Sequence, residues 1–290
     1  MSDSNPDQLQ SEADKSTSWV KDNKLVCSGS KTKLLIIGTK ELRKSKLISK
    51  NKVAGHEVVE STSERLLGMI INNTMTWEHH LFGNEEHKGL VPKLSRRSGI
   101  INKLSFIMPK HKLRIFAEGL FFSLLNYCIE VYGNVWGLET YDEEDRQSTS
   151  FRKEDIIKLH VLVNKVLLSL TGLARDTPVS VLCSMGGQLS VHQRVALFTL
   201  TSIHKALSNK EPAHSYRTLH SVPNPGQPVR LQTNCNRVDY DLSISRGSYY
   251  YRGSRLYNQI PSSLAKTQIQ AVFKTGAKQW VKSHIPLLPP

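Results

Sequence analysis

The sequence predicts an α+β protein in which a small mixed α/β piece precedes a mostly helical body. Two observations carry the first half. Residues 34–37 (Leu-Leu-Ile-Ile) form a short apolar run ending at Gly38, and residues 66–71 form another that is followed by the turn formers Asn72-Asn73; both read as strands. A third carries the second half. From Thr76 onward apolar residues recur at helical spacing, first as Leu90, Leu94, Ile101 and Leu104, then through residues 113–131 and 156–170.

The remaining elements follow in order. Asn5-Pro6-Asp7 starts a helix whose face is Leu9, Ala13 and Val20, closed by Asn23 and Gly29. Residues 41–52 are a basic, polar loop or hairpin, and Val58 and Val59 begin a strand. Thr76 is the expected N-cap of a helix carrying Trp77, His80 and Leu81. Pro109 breaks the next helix. Residues 132–136 end the long apolar helix, and residues 141–149 form a polar linker with the acid run Asp142-Glu143-Glu144-Asp145. Gly172 stops the 156–170 helix. Pro178 opens a short one that ends at Gly186-Gly187, and Ser190 caps another reaching Leu207. Beyond Glu211, Pro223, Pro225, Gly226 and Pro228 mark a long loop. Residues 238–244 alternate like an edge strand, residues 266–281 form a last amphipathic helix, and the proline-rich end 286–290 frays. No internal repeat is visible.

At 290 residues and 39% hydrophobic content, the chain can bury a real core in one large or two ordinary domains. A formal net charge of +14 makes an anionic partner the expectation, nucleic acid first and an anionic membrane surface second. The cysteines Cys27, Cys128, Cys183 and Cys235 are scattered without CxxC spacing, which removes a zinc knuckle and gives no disulfide framework. Residues 1–24 are polar and lack an apolar leader segment, and no apolar stretch is long enough to span a bilayer. An intracellular location, in nucleus or cytoplasm, and no membrane contact are expected. The histidines follow no metal-binding spacing. Neither a Gly-x-Ser-x-Gly elbow nor a P-loop occurs, so hydrolase and nucleotidase chemistry lacks its parts.

Lys88, Lys93, Arg96, Arg97, Lys103, Lys110, Lys112 and Arg114 form a set that runs without a carboxylate after Lys88. Such a set suits sequence-independent phosphate contacts, or a solvated helix face without partner. Arg246, Arg252, Arg255, Lys266, Lys274, Lys278 and Lys282 form a second, interleaved with Tyr249, Tyr250, Tyr251 and Tyr257. Aromatic and basic mixing suits single-strand binding, and equally an ordinary strand packed on a helix.

Glu12-Ala13-Asp14, Trp19, Asp22-Asn23, Lys31-Thr32-Lys33 and the 34–37 strand are followed by Glu64-Arg65-Leu66-Leu67-Gly68. Further on come Trp77, Pro109, Glu118-Gly119, Ser123, Tyr127 and Tyr132-Gly133-Asn134-Val135-Trp136-Gly137. Then follow Asn164-Lys165, Leu170-Thr171-Gly172, Pro178, Gly186-Gly187-Gln188-Leu189-Ser190 and Gln193-Arg194. No single motif is decisive, but the ordered set resembles the last palm motifs, the thumb and the segment beyond it in reverse transcriptases of non-LTR retrotransposons. The resemblance covers residues 5–215 and, more loosely, 256–280.

The resemblance implies a division into a palm remnant with a primer-grip-like hairpin (1–75), thumb-like helices (76–140), a helical extension (151–210) and an irregular basic tail with a final helix (211–290). It implies that Lys31 and Lys33 lie beside an incoming triphosphate and that Leu67 and Gly68 press on the primer backbone. Lys93, Arg96, Arg97 and Lys103 would then contact an RNA/DNA duplex or hybrid. Strand glycine Gly68 is also what a close backbone approach or a bulge needs.

RNA-directed DNA polymerases of this family hold two divalent metals on carboxylates that include a Tyr-x-Asp-Asp hairpin, and this sequence contains no such hairpin. Asp142-Glu143-Glu144-Asp145 is a solvated charge run and no substitute, and Asp239 and Asp241 are a weak alternative for a shared metal. No catalytic residue and no cofactor of its own are therefore expected. The reading is a truncated transposable-element protein that binds template–primer and is inactive alone. The alternatives are the tail of a complete polymerase, or a helical interaction module that offers exposed apolar faces around residues 113–127 and 156–170 to a protein partner.

Overall fold

A computed structural model describes residues 6–28, 31–37, 52–58, 60–133, 153–219 and 249–287. The chain divides into two compact units, Met1–Gly89 and Leu90–Pro290. The expectations for residues 41–51, the 141–149 linker, the 223–228 loop and the 238–244 strand lie outside the described residues.

The first unit has helix α1 (Pro6–Asp22), hairpin β1 (Lys52–Val53) and β2 (His56–Glu57), hairpin β3 (Ser63–Leu66) and β4 (Met69–Asn72), and helix α2 (Glu78–Phe82). Among its described residues the buried apolar side chains are Met69, Ile70, Trp77 and Leu81. His80 is buried with them, edge-on to Trp77, and its Nδ1 accepts from the Ile70 N–H at 3.4 Å. Gly83 and Gly89 bring two backbone segments together. A Cβ at Gly89 would meet the Gly83 nitrogen at 2.3 Å, a contact no side chain tolerates.

Three expectations for this unit are corrected. Residues 34–37 form no strand ladder: Leu34 makes one parallel bridge to Glu60, and Ile37 is 53% exposed. The 66–71 run is not one strand. Its middle is the turn of the β3–β4 hairpin, with Leu66 paired to Met69 and both turn residues, Leu67 and Gly68, at positive φ. Thr76 does not cap α2. Asn72 holds it instead, its amide donating to the Thr76 hydroxyl at 2.6 Å and its carbonyl accepting the Thr76 N–H at 2.8 Å.

The second unit is helical in its described residues. Helix α3 (Leu90–Leu104) buries Leu90, Leu94 and Ile101, spaced as expected. Helix α4 (Lys110–Ala117) follows Pro109, runs through a π turn (Glu118–Phe122) into α5 (Ser123–Asn126), and stops. The expected continuous 113–131 helix is thus interrupted. Cys128 sits in the left-handed region at φ 54°, and a separate short helix α6 (Ile129–Tyr132) begins there. The break is fixed by Tyr132, which is buried and donates its hydroxyl hydrogen back to the Leu125 carbonyl at 2.5 Å.

Helix α7 (Lys153–Thr171) ends at Gly172, and α8 (Val179–Gly186) ends at Gly187, both glycines at positive φ. Helix α9 (Val191–Asn209) starts with a capping box between Ser190 and Gln193. It is buried along most of its length because α6, α7, α10 (Ala213–Leu219), α11 (Tyr249–Tyr257) and α13 (Gln270–His284) all pack on it. A short α12 (Ser262–Ala265) braces α13.

This packing bears on two expectations. The tyrosine-rich segment 249–257 is a helix, not a strand, and the 211–290 tail contributes core residues Leu219, Leu256, Tyr257, Ile260, Phe273 and Trp280. The apolar segments 113–127 and 156–170, which the interaction-module alternative offers to a partner, are buried in part: Leu113, Phe121, Phe122, Leu125, Leu159, Val163, Val166 and Leu167 are buried, while Ile115, Tyr127, Ile157 and Val161 remain exposed. No described helix is long and apolar enough to cross a membrane.

Candidate nucleic-acid interface

The eight residues singled out from sequence divide between the units. Lys31, Lys33, Leu67 and Gly68 lie in the first; Lys93, Arg96, Arg97 and Lys103 lie on α3 in the second.

Lys31 and Lys33 are exposed on either side of Thr32. The Lys31 N–H and the Thr32 hydroxyl both donate to the Ser28 carbonyl, at 3.1 and 3.0 Å. These two hydrogen bonds hold Lys31 and Thr32 to Ser28, and the lysine side chains remain exposed.

Leu67 forms the tip of the β3–β4 hairpin and is 82% exposed at φ 48°. A two-residue turn with both central φ values positive matches the right-handed twist of its strands, and Asn-Gly is its preferred sequence. Gly68, at φ 87°, serves the turn. Leucine in the left-handed region is strained by about 1 kcal/mol, and its apolar side chain faces water. Leu67→Asn is accordingly expected to raise the stability of the first unit by about 1 kcal/mol, read from its urea midpoint.

On α3 the four cations separate into different roles. Arg96 and Lys103 are exposed. Seven residues is nearly two full turns, so they stand on one face about 10 Å apart along the axis. Lys93 is half-buried on the same side. Arg97 points elsewhere: its Nη1 donates to the Leu120 carbonyl of the π turn at 2.5 Å. A π turn replaces the i−4 bonding of its neighbours, and Arg97 takes up one of its carbonyls.

Other members of the basic set donate to carbonyls of the fold while remaining exposed. Lys110 donates to the Ser169 carbonyl at 2.8 Å in the last turn of α7, and Arg114 to the Met185 carbonyl at 2.7 Å in the last turn of α8. Arg252, from the second basic set, is buried and donates to the Gly133 and Val131 carbonyls at the end of α6. Each places a cation at a helix C-terminus, where carbonyls lack partners and the dipole is negative. Sequence alone gives this no signal, because the receiving carbonyls belong to helices distant along the chain.

The interior carries polar groups that the sequence reading left unassigned. Arg194 is buried on α9 and lies over the Phe122 ring, its Cζ 4.2 Å from the centroid. Its Nε donates to the Leu189 carbonyl and its Nη1 to Asn126 Oδ1, both at 3.1 Å; Nη2 donates to Gln188 Oε1. Gln188 in turn donates to Glu118 at 2.5 Å. Desolvation lowers the Arg194 pKa to about 10, which still leaves it charged at neutral pH.

His160 on α7 is 2% exposed, and neither ring nitrogen has a hydrogen-bond partner. Burial first, then the neighbouring His192 of α9, pushes its pKa down to about 4. Asn164, one turn along α7, also holds an unpartnered Oδ1. Among the described residues no group of His, Cys, Asp or Glu is arranged to hold a metal ion; Asp239 and Asp241 lie outside them.

The arrangement offers hydrated cations on one face of α3 and an exposed apolar hairpin tip in the first unit. Comparison with protein-family models, with curated proteins and with solved structures gives no match to this chain.

Proposed function

We propose that the chain is a nucleic-acid-binding protein of reverse-transcriptase descent, holding the phosphate backbone of a template–primer duplex without polymerase chemistry of its own. The observation that carries this reading is the pair Arg96 and Lys103, exposed two turns apart on the outer face of α3. The opposite face of that helix is anchored by Leu90, Leu94 and Ile101. The net charge of +14 supplies long-range attraction for a polyanion. The ordered motif set from Lys31-Thr32-Lys33 to Gln193-Arg194 supports the descent, and the lack of a Tyr-x-Asp-Asp sequence supports the absence of catalysis.

The test is fluorescence anisotropy with a labelled DNA duplex and a matching RNA–DNA hybrid, titrated at several salt concentrations. Binding is expected to fall steeply with salt and to ignore base sequence. Arg96→Ala with Lys103→Ala is expected to reduce the slope of log K against log salt by roughly 2, because each lost phosphate contact removes about 0.9. An unchanged slope would remove α3 from the interface. Magnesium-dependent nucleotide incorporation by the purified chain would overturn the non-catalytic half of the reading.

A further inference from the structure

The last helix, α13, carries a second cationic surface. Lys274, Lys278 and Lys282 recur every four residues and are all exposed. Four residues rise about 6 Å, so the three ammonium groups form a slightly skewed line about 12 Å long. The helix contains no acidic residue, and no Asp or Glu follows Asp241 in the chain. Among the described residues, the one salt bridge is Lys15–Glu12, far away in sequence and in the other unit. None of the three lysines is neutralised by a described carboxylate.

Two alternatives for such a line are disfavoured by the packing. An amphipathic helix that lies on a membrane must insert its apolar face. The apolar face of α13 is occupied: Phe273, Ala277, Trp280 and Val281 are buried, and α13 packs against α9. The helix is further held by Gln270, which donates to the Thr201 carbonyl, and by Gln193, which donates to the Ile285 carbonyl, each at 3.2 Å. Single-strand binding needs aromatic faces beside the cations. Tyr257 is buried, stacked with His204 and Phe273, and the Tyr250 hydroxyl is paired with Ser215 at 2.9 Å.

A line of cations roughly 6 Å apart, with no described carboxylate beside it, lies within reach of successive phosphates of one duplex strand, which rise ~3.4 Å each along the axis and are further separated by the turn of the helix. We propose that Lys274, Lys278 and Lys282 form a phosphate-tracking surface for a nucleic-acid duplex, additional to the face of α3. This rests on the nucleic-acid reading above.

The full-length chain is titrated with the same labelled duplex, as wild type, as the Arg96→Ala/Lys103→Ala variant, and as Lys274→Ala/Lys278→Ala/Lys282→Ala. The side chains replaced are exposed, and matching circular dichroism and thermal melts check that the fold is kept. The triple variant is expected to lose between 2 and 3 units of salt slope, at about 0.9 per contact, with affinity lowered at all base sequences. Lys278→Glu alone is expected to weaken binding more than Lys278→Ala. If the triple variant keeps the wild-type slope while the α3 variant loses slope, the α13 surface is overturned and the nucleic-acid reading stands. If the wild type binds no duplex, both fail together. Loss of binding to phosphatidylserine vesicles in the triple variant, with duplex binding unchanged, would overturn the proposal in favour of a membrane surface.

Discussion

Arg194→Ala is expected to lower the unfolding free energy of the helical unit by roughly 3 kcal/mol, among the largest single-residue effects available. The guanidinium joins three pieces of chain: the carbonyl of Leu189 and the amide of Gln188 before α9, and the Asn126 side chain at the end of α5. A hydrogen bond from a charged donor contributes about 1.5–3 kcal/mol, and buried acceptors left without one cost about 1–3 kcal/mol each. Against this stands the desolvation of the cation itself, visible in its lowered pKa. The interactions exceed the desolvation cost because the fork meets three acceptors and a ring face at once. Arg194→Lys is expected to recover little, since an ammonium is a point charge and cannot span the same acceptors. Urea titration followed by far-ultraviolet circular dichroism reads both. A loss under 1 kcal/mol for the alanine variant would mean that water replaces the guanidinium without cost.

The same residue shows what the sequence could and could not reveal. Gln193-Arg194 drew notice as part of an ordered motif set, and Ser190 was legible as a cap because its partner stands three residues away. The buried role of Arg194 was not legible: its partners lie at positions 126, 188 and 189, and nothing local distinguishes a buried arginine from a solvated one. Helices α3, α7, α8 and α9 were readable because apolar spacing, glycine stops and proline starts all act within a few residues. The 113–131 segment misled for the converse reason. Its apolar content is continuous, while the break at Cys128 is set by the return bond from Tyr132 to Leu125. The 34–37 run misled because apolar content signals a strand only where a partner strand exists, and here one bridge to Glu60 is what it finds. For the candidate interface, the sequence marked a cationic stretch correctly as a stretch. It could not separate Arg96 and Lys103, which face water, from Arg97, Lys110 and Arg114, which bind carbonyls of the fold.

The helical unit is expected to lose stability on acidification from pH 6.5 toward pH 4, and His160 is the main cause. Its folded pKa, about 4, lies below the ordinary value of 6.5. The unfolded chain therefore binds the proton first as pH falls. The stability that the neutral ring contributes is fully present above pH 6.5 and is lost progressively down to pH 4. Linkage puts the loss at about 2 kcal/mol by pH 5 and up to about 3 kcal/mol at pH 4. Its physical origin is a charge with nowhere to go. The ring is 2% exposed, it has no acceptor for a new N–H, and His192 stands beside it. His204, buried and stacked on Phe273 with its ring centroid 3.6 Å away, has a pKa lowered by burial and adds in the same sense. Glu130 works against them, because burial raises its carboxyl pKa and protonation relieves a desolvated charge as the pH falls. The contribution of His160 is isolated by comparison with His160→Leu, whose absolute stability also reflects repacking but whose pH dependence does not include this proton. Guanidinium midpoints measured at pH 7, 6, 5 and 4.5 are expected to fall more steeply for the wild type than for the variant. Parallel profiles would show that His160 is already hydrated in the folded state and that its burial imposes no electrostatic cost.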